Sequence, residues 1–199
     1  MKQFGYLVKQ AFMPMIYMFF MAIIAFGILC IEGLIWLKAV LLGLNMVLYF
    51  FVVCTSAFHD GQKALKVRIA NDVERNQIIL TGEDRPLKLS EEYKPWKGFA
   101  IGLVANIPLI ILMVIHTILI TAVGSAYTGA GAIAGFIYMM FFAFFRMDGS
   151  VATATSFYYV LIIIPIIVLA VGISYSLGAK KIELQQERIK QKHREIYGE

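Results

Sequence analysis

Charge is scarce in this chain of 199 residues, and cysteine and proline are scarcer still. Asp, Glu, Lys and Arg make up 16% of it, against about a quarter in soluble domains. With 60% hydrophobic residues, that balance excludes a disordered chain and a soluble enzyme. Two cysteines, Cys30 and Cys54, exclude a disulfide-stapled module, and no CxxC or Cys/His spacing suggests a metal. They fall near opposite ends of successive apolar segments, too far apart to bridge, and read as small buried hydrophobes. Catalytic signatures are missing as well. There is no HExxH, GxSxG or Walker A motif, and no pair of aspartates inside an apolar run. Gly129-x-Gly131 followed by Gly135 lacks the βαβ context of a dinucleotide fingerprint. His59-Asp60 is a bare dipeptide, so an interfacial enzyme built on it is the weakest reading. No catalytic residue, metal ligand or cofactor is assigned.

What the chain does have is length without charge. Uncharged runs cover Gln10–Ile31, Ala39–His59, Gly98–Phe145 and Gly149–Ala179, well over half of the sequence. About 20 apolar residues at 1.5 Å each cross a hydrocarbon core of about 30 Å. Hydropathy alone therefore marks five segments: Phe12–Ile31, Ala39–Phe58, Phe99–Val123, Gly129–Phe145 and Ser156–Gly178. The first is too long for a signal-peptide core and lacks a cleavage motif, so it is expected to stay as a helix.

Charge placement argues against five full spans. All Lys and Arg residues except Lys38 and Arg146 cluster at the N-terminus, between His59 and Lys97, or after Ala179. Four spans with both termini inside leave two basic residues outside, whereas five spans leave seven. The positive-inside rule favours four. The odd segment is Gly129–Phe145, short at 17 residues, small-residue-rich in its first half and Phe-rich in its second. The expected fold is thus an all-α polytopic membrane protein with four transmembrane helices and cytoplasmic termini. One external re-entrant or interfacial apolar helix completes it, and five spans is the alternative.

This divides the chain into a transmembrane hairpin (1–58), a cytoplasmic loop (59–97), a second transmembrane region (98–178) and a basic helical tail (179–199). In the loop, Leu65, Ile69 and Val73 recur at helical spacing over Gln62–Asn76, an amphipathic helix with a basic flank. Gln77–Leu80, a Gly/Pro turn and Leu87-Lys88-Leu89 suggest a short hairpin. Pro95-Trp96-Lys97 marks re-entry, with Trp at headgroup level and Lys snorkelling. Seven acids offset the eight bases of the loop, so the net charge of +5 signals orientation and not nucleic acid. In the tail Ile182, Ile189 and Ile196 recur every seven residues, but polar residues between them make a solvated helix the safer reading than a coiled coil.

No ionisable Asp, Glu, Lys or Arg lies inside the spans, which removes the usual mark of an ion or proton path. Asn45, Asn106 and His116 are the candidate intramembrane polar residues. Gly98 and Gly102, and Ala170, Ser174 and Gly178, form small-residue stripes suited to helix packing. Pro108 and Pro165 are expected to kink their helices. These features fit a multi-pass protein of a cell membrane, of the bacterial cytoplasmic kind. Its expected work is non-enzymatic: an accessory, assembly or regulatory subunit that meets a protein partner or a second copy through loop and tail. The alternative is a subunit of a small transporter or channel. One labelling experiment separates four spans from five. With both native cysteines replaced by Ser, Glu195→Cys should resist an impermeant maleimide in intact cells and react after permeabilisation. Labelling from outside would sink the four-span topology.

Overall fold

The computed structural model describes residues 2–31, 33–82, 86–123, 129–142 and 161–197. Among these there is no strand, and six helices follow in order: α1 (Lys2–Leu29), α2 (Ile35–Thr81), α3 (Pro95–Val123), α4 (Gly129–Ile137), α5 (Met139–Phe142) and α6 (Ile163–Tyr197). Four of them, α1, α2, α3 and α6, are long and apolar enough to cross a membrane. At 9 and 4 residues, α4 and α5 are not. The expected joint at 124–128, the end of the short segment at 143–145 and the start of the last span at 156–160 lie outside the described residues.

Each long helix buries one narrow stripe and leaves large apolar side chains on the outside. On α1, Leu7, Ala11, Pro14, Met18, Met21, Ala25 and Ile28 are buried at three- and four-residue spacing, while Phe12, Phe20 and Phe26 are exposed. On α2, Leu42, Asn45, Tyr49, Val53 and Ala57 face in while Leu44, Val47 and Phe51 face out. Such an apolar exterior has no stable place in water and suits a hydrocarbon solvent.

The helices close into a ring in which α1 packs on α2 and α3, and α6 packs on α2 and α3. The α1–α2 turn uses Gly33, whose φ of 98° suits glycine, and Lys38 Nζ donates to the Leu29 carbonyl at 3.3 Å. The tightest crossing joins α2 and α6. A Cβ added at Gly61 would collide with the Tyr175 carbonyl, and one at Gly178 with the Phe58 carbonyl. The start of α1, the 86–94 segment, the outer half of α2 and the tail of α6 gather at one end of this ring: Lys97 lies over the Tyr6 ring, and Tyr93 stacks on Tyr175.

Two local expectations change. Gln77–Thr81 forms no hairpin strand but completes α2, which runs unbroken for 47 residues. Its stop is Gly82, left-handed at φ 71°, whose N–H donates to the Ile78 carbonyl at 2.9 Å. The turn residues 83–85 lie outside the described residues. Pro165 sits in the first turn of α6, where its missing N–H is not needed, and so acts as a helix start rather than a kink. Pro14 instead lies well inside α1, as Pro108 does inside α3.

If the backbone crossing holds the bundle, Gly61→Ala and Gly178→Ala should each cost about 1–3 kcal/mol or more through overpacking. Gly43→Ala, where nothing lies within 4 Å, should be neutral or slightly stabilising. Thermal unfolding in detergent reads the difference, and a common melting temperature for all three would contradict the packing.

Candidate functional site

At the loop-bearing end, a polar cluster is assembled from α2, α3 and the 86–94 segment. Pro95 opens α3, which sets Lys97 in its first turn, ahead of the apolar stretch that begins at Phe99. Lys97 was expected to snorkel, but it is 1% exposed. Its Nζ donates to the Ser90 carbonyl at 2.7 Å and the Glu92 carbonyl at 2.6 Å, and faces the Tyr6 ring at 5.2 Å. Glu92 is the hub on the other side. Its Oε1 accepts from Asn71 Nδ2 at 2.8 Å and from Arg75 at 2.6 Å, and Arg75 also pairs with Asp72 at 2.7 Å. Asn71 Oδ1 takes the Lys88 N–H, and the Tyr93 N–H bonds the Ala64 carbonyl at 3.0 Å. The arrangement fastens the segment to α2. It holds Trp96 outward, 47% exposed, while Lys97 turns in.

Within the apolar part, the three candidate polar residues do not converge. Asn45 ties α2 to α1 by donating to the Met21 carbonyl at 2.9 Å. Asn106 donates to the Gly102 carbonyl at 2.8 Å and accepts from the Tyr138 hydroxyl at 3.0 Å. His116 is fully buried against α4, where a Cβ on Gly131 would stand 2.5 Å from its Nδ1. Asn106 and His116 thus share the α3–α4 interface, about 15 Å apart along α3, and Asn45 belongs to another. The short helices are wedged among the long ones by rings as well. Phe136 meets Phe19 and Phe26 of α1 at 6.2 Å, and Phe141 meets Tyr49 of α2 at 6.0 Å.

The packing stripes face different helices. Gly98 and Gly102 turn to α6 at Tyr175, Gly172 and Val168, whereas Gly178 turns to α2. The Ala170 carbonyl lies 4.0 Å from Cys54 Sγ of α2, and Ser174 is half-buried. His59 and Asp60 line an open cleft of about 570 Å³ with Tyr17, Thr55, Ser56 and Lys63. No group of three or more His, Cys, Asp or Glu able to hold a metal occurs among the described residues.

No protein-family model, curated protein or solved structure matches this chain.

Sequence reasoning missed Tyr138, Gly131, Gly61 and the Asn71–Glu92–Arg75 cluster. Tyr138 carried a signal, since a phenol inside an apolar run needs a partner and few neutral acceptors are available. The cluster carried none, because its members are 17 to 21 residues apart in a segment of ordinary polar composition.

Removing the hub should release the segment. Glu92→Ala leaves Asn71 and Arg75 without their shared acceptor and should cost about 1–3 kcal/mol. Limited trypsin digestion should then cut faster after Lys88, which Leu89 follows. Unchanged cleavage would mean that the segment is held by other contacts.

Proposed function

We propose that the protein is a multi-pass membrane subunit with both termini in the cytoplasm, acting through protein contact and not through catalysis. The role is accessory, assembly or regulatory, in a cell membrane of the bacterial cytoplasmic kind. The supporting observation is the length of two helices. Past the end of its uncharged run, α2 continues from Asp60 to Thr81, about 33 Å. Past Gly178, α6 continues to Tyr197, about 28 Å. The two stay paired through Leu65, Ile69, Ala179 and Ile182. Beyond that contact their apolar residues are bare: Leu80 is 84% exposed on α2, and Ile189 and Ile196 are 66% and 73% exposed on α6. A helix outside the bilayer that leaves such residues in water is poised for a partner helix or groove.

The orientation rests on the basic clusters gathering at this end. In that frame α4 and α5 form a re-entrant element that dips from the far side, with Gly131 beside His116 and Tyr138 reaching Asn106 deeper in the bundle. Small residues make the dip tolerable, because Gly131, Ala134 and Gly135 are buried against protein and not lipid. A transporter or channel subunit is less well supported, since Asn45 and Asn106 are each engaged in ties between or along helices.

Photo-crosslinkers at Ile189 and Ile196 of the full chain should trap one heavier adduct of constant mass. Ile189→Glu with Ile196→Glu should abolish it without changing membrane insertion or bundle stability. A protein that purifies alone in mild detergent, with no adduct at either position, would refute this role.

A further inference from the structure

The crossing of α2 and α6 leaves a groove of about 550 Å³ on its outer side, lined by Phe58, Leu177, Lys180, Lys181, Leu184 and Arg188. Its residues follow one face of α6, because 177, 180, 181, 184 and 188 are spaced by one, three and four. The two ends of the groove differ in solvent. Phe58 and Leu177 belong to the uncharged runs Ala39–His59 and Gly149–Ala179, so they lie at the hydrocarbon boundary, and Leu177 is 52% exposed there. Lys180, Lys181 and Arg188 lie beyond that boundary, on the aqueous side.

These three cations are uncommitted in a way that Arg75 is not. Arg75 pairs with Asp72 and Glu92, whereas among the described residues none of the three makes an ion pair within 4.0 Å. Glu183 and Glu187 follow on the same helix without reaching that distance from them. Lys181 is aimed over the groove, its Nζ 5.6 Å from the centre of the Phe58 ring. Gly178 makes the groove possible, since its contact with the Phe58 carbonyl brings the two helices together at this level.

An occupant must therefore carry an apolar body on the hydrocarbon side and a negative charge on the aqueous side, within one molecule. We propose that the groove binds an anionic phospholipid of the adjoining leaflet. An acyl chain lies along Phe58 and Leu177, and the headgroup phosphate sits among Lys180, Lys181 and Arg188. An acidic peptide would match the cations but would have no use for the part of the groove that faces lipid tails. The groove does not include the bare Ile189 and Ile196, so a protein partner and a lipid can be held together.

The test uses the full-length protein in detergent, offered dioleoylphosphatidylglycerol or dioleoylphosphatidylcholine and examined by native mass spectrometry. Wild type should retain phosphatidylglycerol preferentially, and added salt should weaken that retention while leaving phosphatidylcholine unaffected. The triple variant K180Q/K181Q/R188Q should lose phosphatidylglycerol by about tenfold or more, as each cation near an anionic headgroup contributes severalfold. K190Q/K192Q/R194Q removes the same charge from the tail outside the groove and should bind as wild type, as should K180R/K181R. Equal retention of both lipids by wild type, or equal loss in the two triple variants, overturns the proposal. The wild-type salt response and lipid preference hold independently of how any variant folds.

Discussion

Where α2 and α6 cross, two glycines stand in place of side chains and let one backbone rest on the other. Gly61 meets the Tyr175 carbonyl and Gly178 meets the Phe58 carbonyl. In a bilayer the hydrophobic effect does not press helices together, so close approach and dispersion have to do so. Much else is placed by this contact. It sets Tyr175 where Tyr93 stacks on it, and it sets Gly172 where Phe99 of α3 can lie. A side chain at either crossing glycine would push α6 outward and loosen the ring at two seams together.

The interior is then finished by a few neutral hydrogen bonds. Asn45 joins α1 to α2, and Tyr138 joins the short helices to α3. Neutral groups suit this depth, since an ionised one would cost several kcal/mol more to hold there. Among the described residues the buried acidic and basic side chains, Glu92 and Lys97, lie at the loop-bearing end, with partners arranged around them. The two kinds of polarity thus occupy different levels of the same bundle.

The long apolar helices and the basic clusters were legible in the sequence because both are properties of composition over windows of 20 residues. Small residues at Gly98 and Gly102 were legible as a packing face, but the identity of the facing helix was not. Gln77–Leu80 misleads because β-branched residues before a glycine resemble a strand before a turn; the same glycine, Gly82, is a helix stop. Lys97 misleads for another reason. Its burial depends on carbonyls of Ser90 and Glu92, which no side-chain pattern encodes. Tyr138 and Asn106, 32 residues apart, meet only because α4 turns back along α3.

One consequence of α2 being a single helix concerns mechanics. No proline interrupts it between Ile35 and Thr81, and a continuous helix of this kind bends only gently. Its inner and outer halves, each about 35 Å long, pivot about the glycine crossing as the arms of one lever. A sideways load of about 3 Å at the tip tilts the whole rod by roughly 5°. The other half, which carries Asn45 against α1 and Tyr49 against Phe141 of α5, has to move in the opposite sense. A tilt of the charged half of the helix is thereby coupled to its apolar half without any change in secondary structure.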